Sequence, residues 1–322
     1  MTVLIISSIE DVHARAVTEA LLAGGAAVEL LDLSEFPVRL ALSIAFEDGA
    51  HRFILRREGG GQLDLSTIGA VWWRRPQPFG LSAALTDPAH RRFATSEAAT
   101  AFAGLCQSLN AFWVNDPVRD GPAHHKPWQL ALAQEIGLPI PPTLMTNDPE
   151  EARDFWRRHD GNVIYKVFRA SPDGWRETRR LRPEDAALAD TIRLSPVIFQ
   201  GFVEAEADIR VTVIGDEIYA ASADARKGEY PVDFRFNPNL TWERHALPSS
   251  VENALRRLMR RMGLEYGAVD LRLTAGGDYV FLEINPAGQF LWVEMATGQK
   301  IAAALAAHLA AGRRITAAGG GP

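Results

Sequence analysis

The sequence predicts an α/β protein, and two observations lead to that prediction. The N-terminus alternates strand and helix, since "TVLIIS" and "AAVELLDL" are short apolar strands on either side of the helical segment "DVHARAVTEALLAGG". A β-α-β start of this kind favours a parallel sheet. Further along the chain, strand pairs such as "DIRVTVIGDEIYAASAD" and "AVDLRL…YVFLEI" lie on either side of a helix, which indicates a second region of mixed α and β structure.

The order of these elements divides the chain into three sections. The first adds a hairpin in "RFILRREGGGQLDL", the strand "IGAVWWRRP" and a long helix to the β-α-β start. The second combines two helices with the strands "GNVIYKVF" and "PVIFQGFV", and the third contains the two strand pairs and the helix "SSVENALRRLMRRMGL". We expect the sections to cover residues 1–116, 117–203 and 204–322.

The composition narrows the class of protein. Hydrophobic residues make up 47% and charged residues 23%, as in an ordinary globular enzyme, and the net charge of −6 argues against a nucleic-acid partner. A single cysteine, Cys106, excludes an intrachain disulfide and suits a reducing compartment. No signal peptide is evident, and no segment reaches the roughly 18 apolar residues of a membrane span. We therefore expect a cytoplasmic protein with no membrane partner.

The segment "AVDLRLTAGGDYVFLEINP" provides the first candidate site. Gly276-Gly277 favours a two-residue hairpin turn, in which both positions have positive φ. In that hairpin Asp270 faces Glu283 directly, and Asn285 shares the strand face of Glu283. Two opposed carboxylates destabilise a sheet, and more so when buried, unless a cation lies between them.

Oxygen ligands from Asp, Glu and Asn are the ones that Mg²⁺ takes, usually together with water and phosphate oxygens. The hairpin therefore predicts a platform for Mg²⁺ and a nucleotide. The alternative is that Glu283 pairs with an arginine such as Arg272, and that Asn285-Pro286 only turns the chain. The hairpin alone does not decide between the two.

Two lysines stand in positions that call for an anionic partner. Lys166 lies inside the apolar strand "VIYKVF", where an unpaired ammonium is costly. Lys126 starts a helix, and a cation there opposes the helix dipole unless an anion binds at the same end. Either lysine alone could be a surface residue whose charge reaches solvent. Together with the acidic cluster they favour a phosphate site, and "FQGFV" could border it, with Phe202 and Val203 as apolar walls for an adenine ring.

In this order, Lys126, Lys166, "FQGFVEAEADIRV", "VDFRFN" and "AVDLRL…FLEINP" resemble the ATP-grasp carboxylate–amine ligases over residues 115–309. More closely, "AVWWRRP", "HKPWQLALAQEIGLPIPPTLMTNDP" and "FLEINPAGQFLWVEMATGQKI" resemble the ATP-grasp maturases that make graspetides, the microviridin-type ligases. The resemblance implies an α+β ATP-grasp fold. A Rossmann-like pre-ATP-grasp domain would cover residues 1–116, a central domain residues 117–203 and a C-terminal ATP-grasp domain residues 204–322.

The resemblance also implies a reaction, in which ATP phosphorylates an Asp or Glu side chain of a ribosomal precursor peptide. A Ser or Thr hydroxyl or a Lys amine of the same peptide then displaces phosphate to form an ester or an amide. The implied cofactors are ATP and Mg²⁺, and the implied partner is a precursor with a leader and an acidic core. We also expect a homodimer.

Site residues follow from the resemblance position by position. The implied metal ligands are Asp270, Glu283 and Asn285. The implied nucleotide ligands are Lys126 and Lys166 for the α- and β-phosphates, Gln200, Gly201, Phe202 and Val203 for adenine, and Glu206 or Asp208 for ribose. Many relatives have a glycine-rich lid after the second lysine, but "RASPDGWRETRRLRPED" has one glycine, so Arg169 or Arg176 could replace the lid amides.

Several arginines are candidates for catalysis and for substrate binding. Arg235 in "DFRFN" matches the arginine that related ligases place at the transferred phosphate, Arg210 would support the same region, and Arg226 is a further candidate. Guanidinium pairs bidentately with carboxylate, so an acidic peptide could bind Arg74 and Arg75 or the basic run from Arg176 to Arg182. The run could equally be a solvated loop. The "RRP" turn recurs in the family that the chain resembles, so the resemblance implies Arg74 and Arg75 as the first candidates for substrate binding.

Two other functions fit many of the same residues. The chain could be an ATP-grasp ligase that adds a free amino acid to a peptide or makes a small amide. It could also be a regulator that binds ATP without turnover. The segments "AVWWRRP" and "GQFLWVEMATG" favour the peptide macrocyclase over the first, and the carboxylate cluster with Arg235 favours an enzyme over the second.

Overall fold

The computed structural model describes residues 1–168, 178–228, 230, 232–237 and 239–312. Within them, strands form four sheets on which α-helices pack, so the expected α/β class is confirmed. No helix in this part of the chain combines the length and the apolar character needed to cross a membrane.

The N-terminal region contains a parallel sheet, as its β-α-β pattern predicts. Its elements are β1 (Thr2–Ile6), α1 (Val12–Ala23), β2 (Ala27–Leu31), β3 (Leu40–Glu47), β4 (Ala50–Arg57), β5 (Gln62–Asp64), β6 (Ile68–Trp73), α2 (Pro88–Ser108) and β7 (Phe112–Val114). The parallel sheet has the order β2-β1-β6-β7. The predicted hairpin is the β4-β5 pair, and β3, which the sequence analysis missed, extends it to a three-stranded antiparallel sheet.

The middle region forms a four-stranded antiparallel sheet in the order β10-β9-β11-β8. Its elements are α3 (Pro117–Ala123), α4 (Lys126–Glu135), β8 (Thr143–Thr146), α5 (Pro149–Arg158), β9 (Val163–Lys166), β10 (Arg179–Arg180) and β11 (Val197–Gly201). Lys126 is the first residue of α4 and Lys166 the last residue of β9, so both lysines stand at the ends of elements.

The C-terminal region is built on a five-stranded antiparallel sheet in the order β14-β13-β12-β15-β16. Its elements are β12 (Ala207–Ile214), β13 (Glu217–Asp224), β14 (Glu243–Arg244), α6 (Ser249–Met262), β15 (Tyr266–Leu273), β16 (Tyr279–Asn285), α7 (Leu291–Thr297) and α8 (Ile301–Ala311). Buried side chains of α6, such as Leu255 and Leu258, pack with Leu130 of α4 against Val211 and Val269 of the sheet.

The two ends of the chain share a hydrophobic core. Leu305 and Leu309 of α8 are fully buried in the same cluster as Val3 of β1 and Val17 of α1, and Phe290, just before α7, lies there too. Burial of side chains of this size contributes roughly 1.5–3 kcal/mol each, before the cost of ordering the chain. The N-terminal sheet is thereby fixed beside the end of β16.

The β15-β16 hairpin brings the expected residues together by a route that differs from the prediction. Only Gly277 has positive φ (86°), and the Thr274 N–H donates to the Asp278 carbonyl, which leaves a three-residue loop over 275–277. A β-bulge then shifts the register between Asp270 and Leu271 by one residue. The longer loop and the bulge offset each other, so Asp270 pairs with Glu283 as the two-residue turn had predicted.

Candidate active site

Two carboxylates lie directly opposite each other on the antiparallel strands β15 and β16. Asp270 pairs in register with Glu283, and a protein cation contacts each of them. Arg210 Nη1 donates to Asp270 Oδ1 over 2.8 Å, and Lys126 Nζ forms an ion pair with Glu283 Oε2. Protein cations therefore relieve the repulsion that the sequence pattern predicts. Arg272, the alternative partner proposed for Glu283, is elsewhere and pairs with Asp208 at 2.9 Å.

The charges around the two carboxyl groups move their pKa values in opposite directions. Burial acts to raise the pKa of Glu283, but the positive charges of Lys126 and Lys166 outweigh it and hold the pKa at about 2. Burial raises the pKa of Asp270, helped by the charge of Glu283 and opposed by Arg210. Glu283 is consequently ionised throughout the physiological range.

Lys166 extends from the end of β9 towards the same carboxylates. Burial lowers its pKa to about 8, the charge of Lys126 acts in the same direction, and the attraction of Glu283 partly opposes both. An amine whose pKa has been lowered by burial gains stability as an ammonium ion when a new anionic partner binds beside it. Lys126 and Lys166 thus converge on one acidic residue, Glu283.

Asn285 completes the candidate metal set at the end of β16. Its side chain is exposed, and its Oδ1 accepts the Ala287 N–H at 2.9 Å. Among the described residues no three His, Cys, Asp or Glu side chains form a metal cluster. Two carboxylates and one amide oxygen are nevertheless the hard donors that Mg²⁺ takes when phosphate oxygens and water complete its coordination. The donor set therefore fits Mg²⁺.

Arg235 lies in a 3₁₀ turn over Phe234–Phe236 and is held by Asp233, which precedes that turn. The Nε and Nη2 atoms of Arg235 donate to the two oxygens of Asp233 at 2.7 and 2.5 Å. Asp233 is buried, whereas 47% of the Arg235 side chain is exposed. The positive charge of Arg235 also acts on Glu283, Asp270 and Lys166, so it faces the carboxylate cluster.

Arg226 has a similar local geometry in a different place. Its Nε and Nη2 atoms donate to Asp224 at 2.9 and 3.2 Å, and its Nη1 lies 3.8 Å from Glu206. It lines a cavity of about 400 Å³ together with Phe202, Glu204, Ala205, Glu206, Ala225, Arg272 and Ala275. The structure therefore separates Arg226 from the carboxylate cluster that Arg210 and Arg235 face.

The hinge around Phe202 forms one wall of this cavity. The Phe202 ring has the guanidinium carbon of Arg180 at 4.1 Å and that of Arg272 at 5.2 Å from its centroid. The Gly201 N–H donates to the Pro142 carbonyl, and the Phe202 N–H donates to the Asn162 carbonyl. These two amides are used inside the protein and are not available to an adenine ring.

Other hinge groups are also engaged. Arg272 Nη1 donates to the Val203 carbonyl at 2.7 Å, while the Val203 N–H has no partner among the described residues. Gln200 is buried and donates to Thr143 Oγ1 at 2.9 Å, so it supports the hinge from within the sheet. Of the hinge amides of Gly201, Phe202 and Val203, that of Val203 is left for a ligand.

The two ribose candidates differ in accessibility. Asp208 is buried and committed to Arg272, whereas 51% of the Glu206 side chain is exposed on the cavity wall. The structure favours Glu206, because a ribose could bind Asp208 only by breaking its buried ion pair with Arg272.

Arg74 and Arg75, the two candidate substrate residues, differ in their exposure to solvent. Arg75 is exposed, but Arg74 is 1% exposed and pairs with Asp11 at 3.1 Å. A buried guanidinium that already has a carboxylate partner is poorly placed to bind a peptide, so the structure favours Arg75 over Arg74 as the candidate substrate residue. Arg169 and Arg176, the candidates for lid function, lie outside the described residues.

Two supporting residues were missed in the sequence analysis. Gln129 of α4 is buried, and its amide group donates to the Ile284 carbonyl and accepts the Ile284 N–H, which satisfies the free edge of β16. Asn115, which follows β7, holds the backbone around Tyr266. In each case the available signal was one polar residue beside an apolar run, "WQLALA" and "FWVN".

Comparisons with known proteins identify the family of the chain. The model of the MvdD pre-ATP-grasp domain matches residues 2–120, and that of the RimK-like ATP-grasp domain matches residues 124–309. The second match covers more than half of the sequence, and the chain therefore belongs to the RimK-like ATP-grasp family. No curated protein matches the chain.

Several solved structures share the whole fold. Macrocyclase MdnC bound with precursor peptide MdnA, from Microcystis aeruginosa MRC, is 28% identical with a TM-score of 0.87, over 97% of this chain and 100% of that chain. The Chryseobacterium gregarium RiPP-associated ATP-grasp ligase, in complex with ADP and a leader and core peptide, is 28% identical with a TM-score of 0.89, over 98% of each chain. ATP-grasp ligase PsnB, complexed with minimal precursor, Mg and ADP, is 28% identical with a TM-score of 0.78, over 96% of each chain. The expected resemblance to graspetide ligases is confirmed.

Proposed function

We propose that this protein is an ATP-dependent macrocyclase, which joins Asp or Glu side chains of a ribosomal precursor peptide to Ser or Thr hydroxyls or to Lys amines. The observation that carries the proposal is the pair of opposed carboxylates, Asp270 and Glu283, with Lys126, Lys166 and Arg235 facing them. That arrangement suits a polyphosphate. The peptide substrate is supported by the leader and core peptides bound to the similar solved structures.

The nucleotide would lie between the hinge and the carboxylate cluster. Adenine would pack on Phe202 and accept a hydrogen bond from the Val203 N–H, and Glu206 would bind the ribose hydroxyls. Lys126 and Lys166 would bind the α- and β-phosphates, since both ammonium groups converge where an anion is needed.

The residues that would hold Mg²⁺ are Asp270, Glu283 and Asn285. When bound, Mg²⁺ supplies positive charge that neutralises the phosphate oxygens. The protein's own part is to fix the oxygen atoms of the metal ligands. Arg210 does so for Asp270 through the 2.8 Å hydrogen bond.

The reaction divides into two displacements at the exposed guanidinium of Arg235. A peptide carboxylate attacks the γ-phosphorus, the bond to the bridging oxygen breaks, and ADP leaves. A hydroxyl or amine of the same peptide then attacks the acyl carbon, loses its proton, and displaces inorganic phosphate. Arg235 stabilises charge on the transferred phosphoryl oxygens, while exposed Arg75 is placed to pair with a peptide carboxylate.

The test is a mass measurement on the encoded precursor peptide with ATP and Mg²⁺. We expect the peptide to lose the mass of one water per crosslink, with one ATP converted to ADP and phosphate each time. A gain equal to one amino acid would support the alternative ligase, and unchanged peptide and ATP would support the regulator. The proposal also retains the homodimer, the cytoplasmic location and the three domain ranges expected from the sequence.

Nucleotide affinity is expected to fall as the pH rises through about 8, the pKa of Lys166 in the free protein. Below that pH Lys166 is already protonated and binds phosphate directly. Above it the complex must first take up a proton, so ADP affinity measured by calorimetry without metal should drop about tenfold per pH unit. Lys166→Met should bind weakly with a flat profile over about pH 7 to 9. A flat profile for the unchanged protein would contradict the role of Lys166.

A further inference from the structure

Side chains hold four consecutive backbone carbonyls just after the candidate metal strand. The loop 286–289 connects β16 to the buried Phe290. Its carbonyls accept hydrogen bonds in turn from Asn115 at Pro286, from Arg74 at Ala287, from Arg74 and Tyr266 at Gly288, and from Arg210 at Gln289. Loop carbonyls more often face water, so this degree of side-chain attachment requires a reason.

Two of these donors come from the N-terminal part of the chain. Arg74 follows β6, and Asp11, at the start of α1, accepts its Nε at 3.1 Å; Ser7 Oγ donates to the same carboxylate at 2.9 Å. Arg74 Nη1 then reaches the loop carbonyls, at 3.1 Å for Gly288. Asn115 donates to Pro286 at 3.0 Å. The N-terminal sheet therefore holds the loop through fixed, buried groups.

The same loop touches the metal candidates at both of its ends. At its start, Asn285 Oδ1 accepts the Ala287 N–H, which fixes the side chain of a candidate ligand. At its end, the Gln289 carbonyl accepts Arg210 Nη2 at 2.9 Å, and Arg210 Nη1 holds Asp270. A displacement of the loop would therefore move Asn285 and Asp270 together.

The loop also has no room to move inwards. A Cβ atom added at Gly288 would lie 2.3 Å from the Ala268 Cβ and 2.9 Å from Arg210 Nη2. Only glycine permits this close approach between the loop, β15 and Arg210. The loop position and the Arg210 position are therefore mutually dependent.

We propose that Arg74 is a positioning residue for the metal site. Its hydrogen bonds hold the loop 286–289 in place. In that position Asn285 and Asp270, the latter fixed by Arg210, would offer their oxygens to Mg²⁺. Because Arg74 belongs to the N-terminal region, that region would support the ATP site in addition to any contact with the peptide. This inference rests on the proposed function, because it assumes that Asp270, Glu283 and Asn285 bind Mg²⁺ beside the nucleotide.

The test is Arg74→Lys, which keeps the charge but loses the planar fork that reaches Asp11 and two carbonyls at once. We expect the strengthening of ADP binding by Mg²⁺ to fall about tenfold in calorimetry, the size expected for a group that orients a metal ligand. Metal-free ADP affinity should stay within about twofold, since Lys126 and Lys166 are untouched. Hydrogen exchange of the Ala287 to Phe290 amides should quicken.

The matched control is Arg57→Lys. Arg57 also lies in the N-terminal part and binds a carboxylate and a carbonyl, Glu29 at 3.2 Å and Leu30 at 2.8 Å, but it has no contact with the loop. It should leave both readouts unchanged. Tyr266→Phe removes only the hydroxyl that contacts Gly288 and should give a smaller change in the same direction; it carries the test if Arg74→Lys does not fold.

The outcomes separate this inference from the proposed function. If the unchanged protein binds ADP equally with and without Mg²⁺, the proposed function fails and the inference fails with it. If the unchanged protein responds to Mg²⁺ and the Arg74 and Tyr266 variants respond equally well, only the inference is overturned. If Arg74→Lys weakened peptide binding and kept a normal Mg²⁺ response, the result would support a substrate role for Arg74 and overturn the inference.

Discussion

Glu283→Gln is expected to lower ATP turnover by roughly 10³-fold while the protein remains folded. The substitution keeps the shape and a hydrogen-bond acceptor for Lys126 but removes the negative charge that Lys126, Lys166 and Arg235 all face. Without it the site loses a metal ligand and the group that keeps two ammonium ions together. Turnover is measured as ADP release with precursor and Mg²⁺, and folding by thermal unfolding.

A matched control for this prediction lies on α6. Glu252 forms a half-buried ion pair with Arg256 at 3.2 Å, comparable in exposure to the Glu283–Lys126 pair but outside the site. Glu252→Gln should retain full turnover. Near-normal turnover in Glu283→Gln would show that the opposed carboxylates have only a structural role.

The structure also changes the stability expected for such variants. From the sequence alone, removing one of two opposed carboxylates should relieve repulsion and maintain or raise stability. Asp270 already has its own buried partner, because Arg210 is 7% exposed and bonded to it. The substitution keeps a hydrogen-bond acceptor but removes the negative charge that compensates the buried guanidinium, so Asp270→Asn should lower the free energy of unfolding by about 1–3 kcal/mol.

Arg235→Lys is expected to slow crosslinking by about 10³-fold and to leave ADP affinity within a few-fold. The lysine keeps one positive charge but loses the fork that Asp233 holds through two hydrogen bonds. A fixed guanidinium stabilises the charge that spreads over the transferred phosphoryl oxygens, whereas a mobile ammonium must reorganise. Crosslinking is followed by mass spectrometry and nucleotide binding by calorimetry on the same preparation.

Arg226 offers an internal comparison, since it is held by Asp224 in the same forked manner. Its position on the cavity wall beside Glu206 predicts that Arg226→Lys weakens nucleotide binding rather than the chemical step. If Arg226→Lys abolished crosslinking and Arg235→Lys did not, the catalytic assignment would pass to Arg226.

Local patterns predicted much of the fold. The β-α-β start indicated the parallel sheet because strand and helix periodicities can be recognised within a few residues of each other. The strand β3 was missed although its Asp48-Gly49 turn, with φ of 52° and 75°, carries a strong hairpin signal. The segment "LALSIAFE" also alternates large apolar residues with small or polar ones, so both local signals of the strand were present in the sequence and it could have been predicted.

Features that depend on distant contacts could not be predicted in the same way. The sequence indicated that Lys126 needed an anion, but its partner Glu283 lies 157 residues away. It marked Arg74 as a charged residue at a strand end, and only the packing of the loop 286–289 over that end makes Arg74 a buried residue. The roles of long polar side chains are decided by which segment covers them, and no local pattern reports that.

In the free protein Lys126 and Glu283 form an ion pair with each other. Glu283 takes the place of a phosphate beside Lys126, and Lys126 takes the place of a cation beside Glu283. A phosphate that attracts the Lys126 ammonium leaves Glu283 with less positive charge around it and more open to a divalent cation. A cation that attaches to Glu283 equally releases Lys126 for a phosphate. The two association steps are therefore thermodynamically linked through one exchangeable contact, and each ligand must raise the affinity of the other by the same factor. The protein would consequently bind the nucleotide and the cation together more tightly than it binds either one alone.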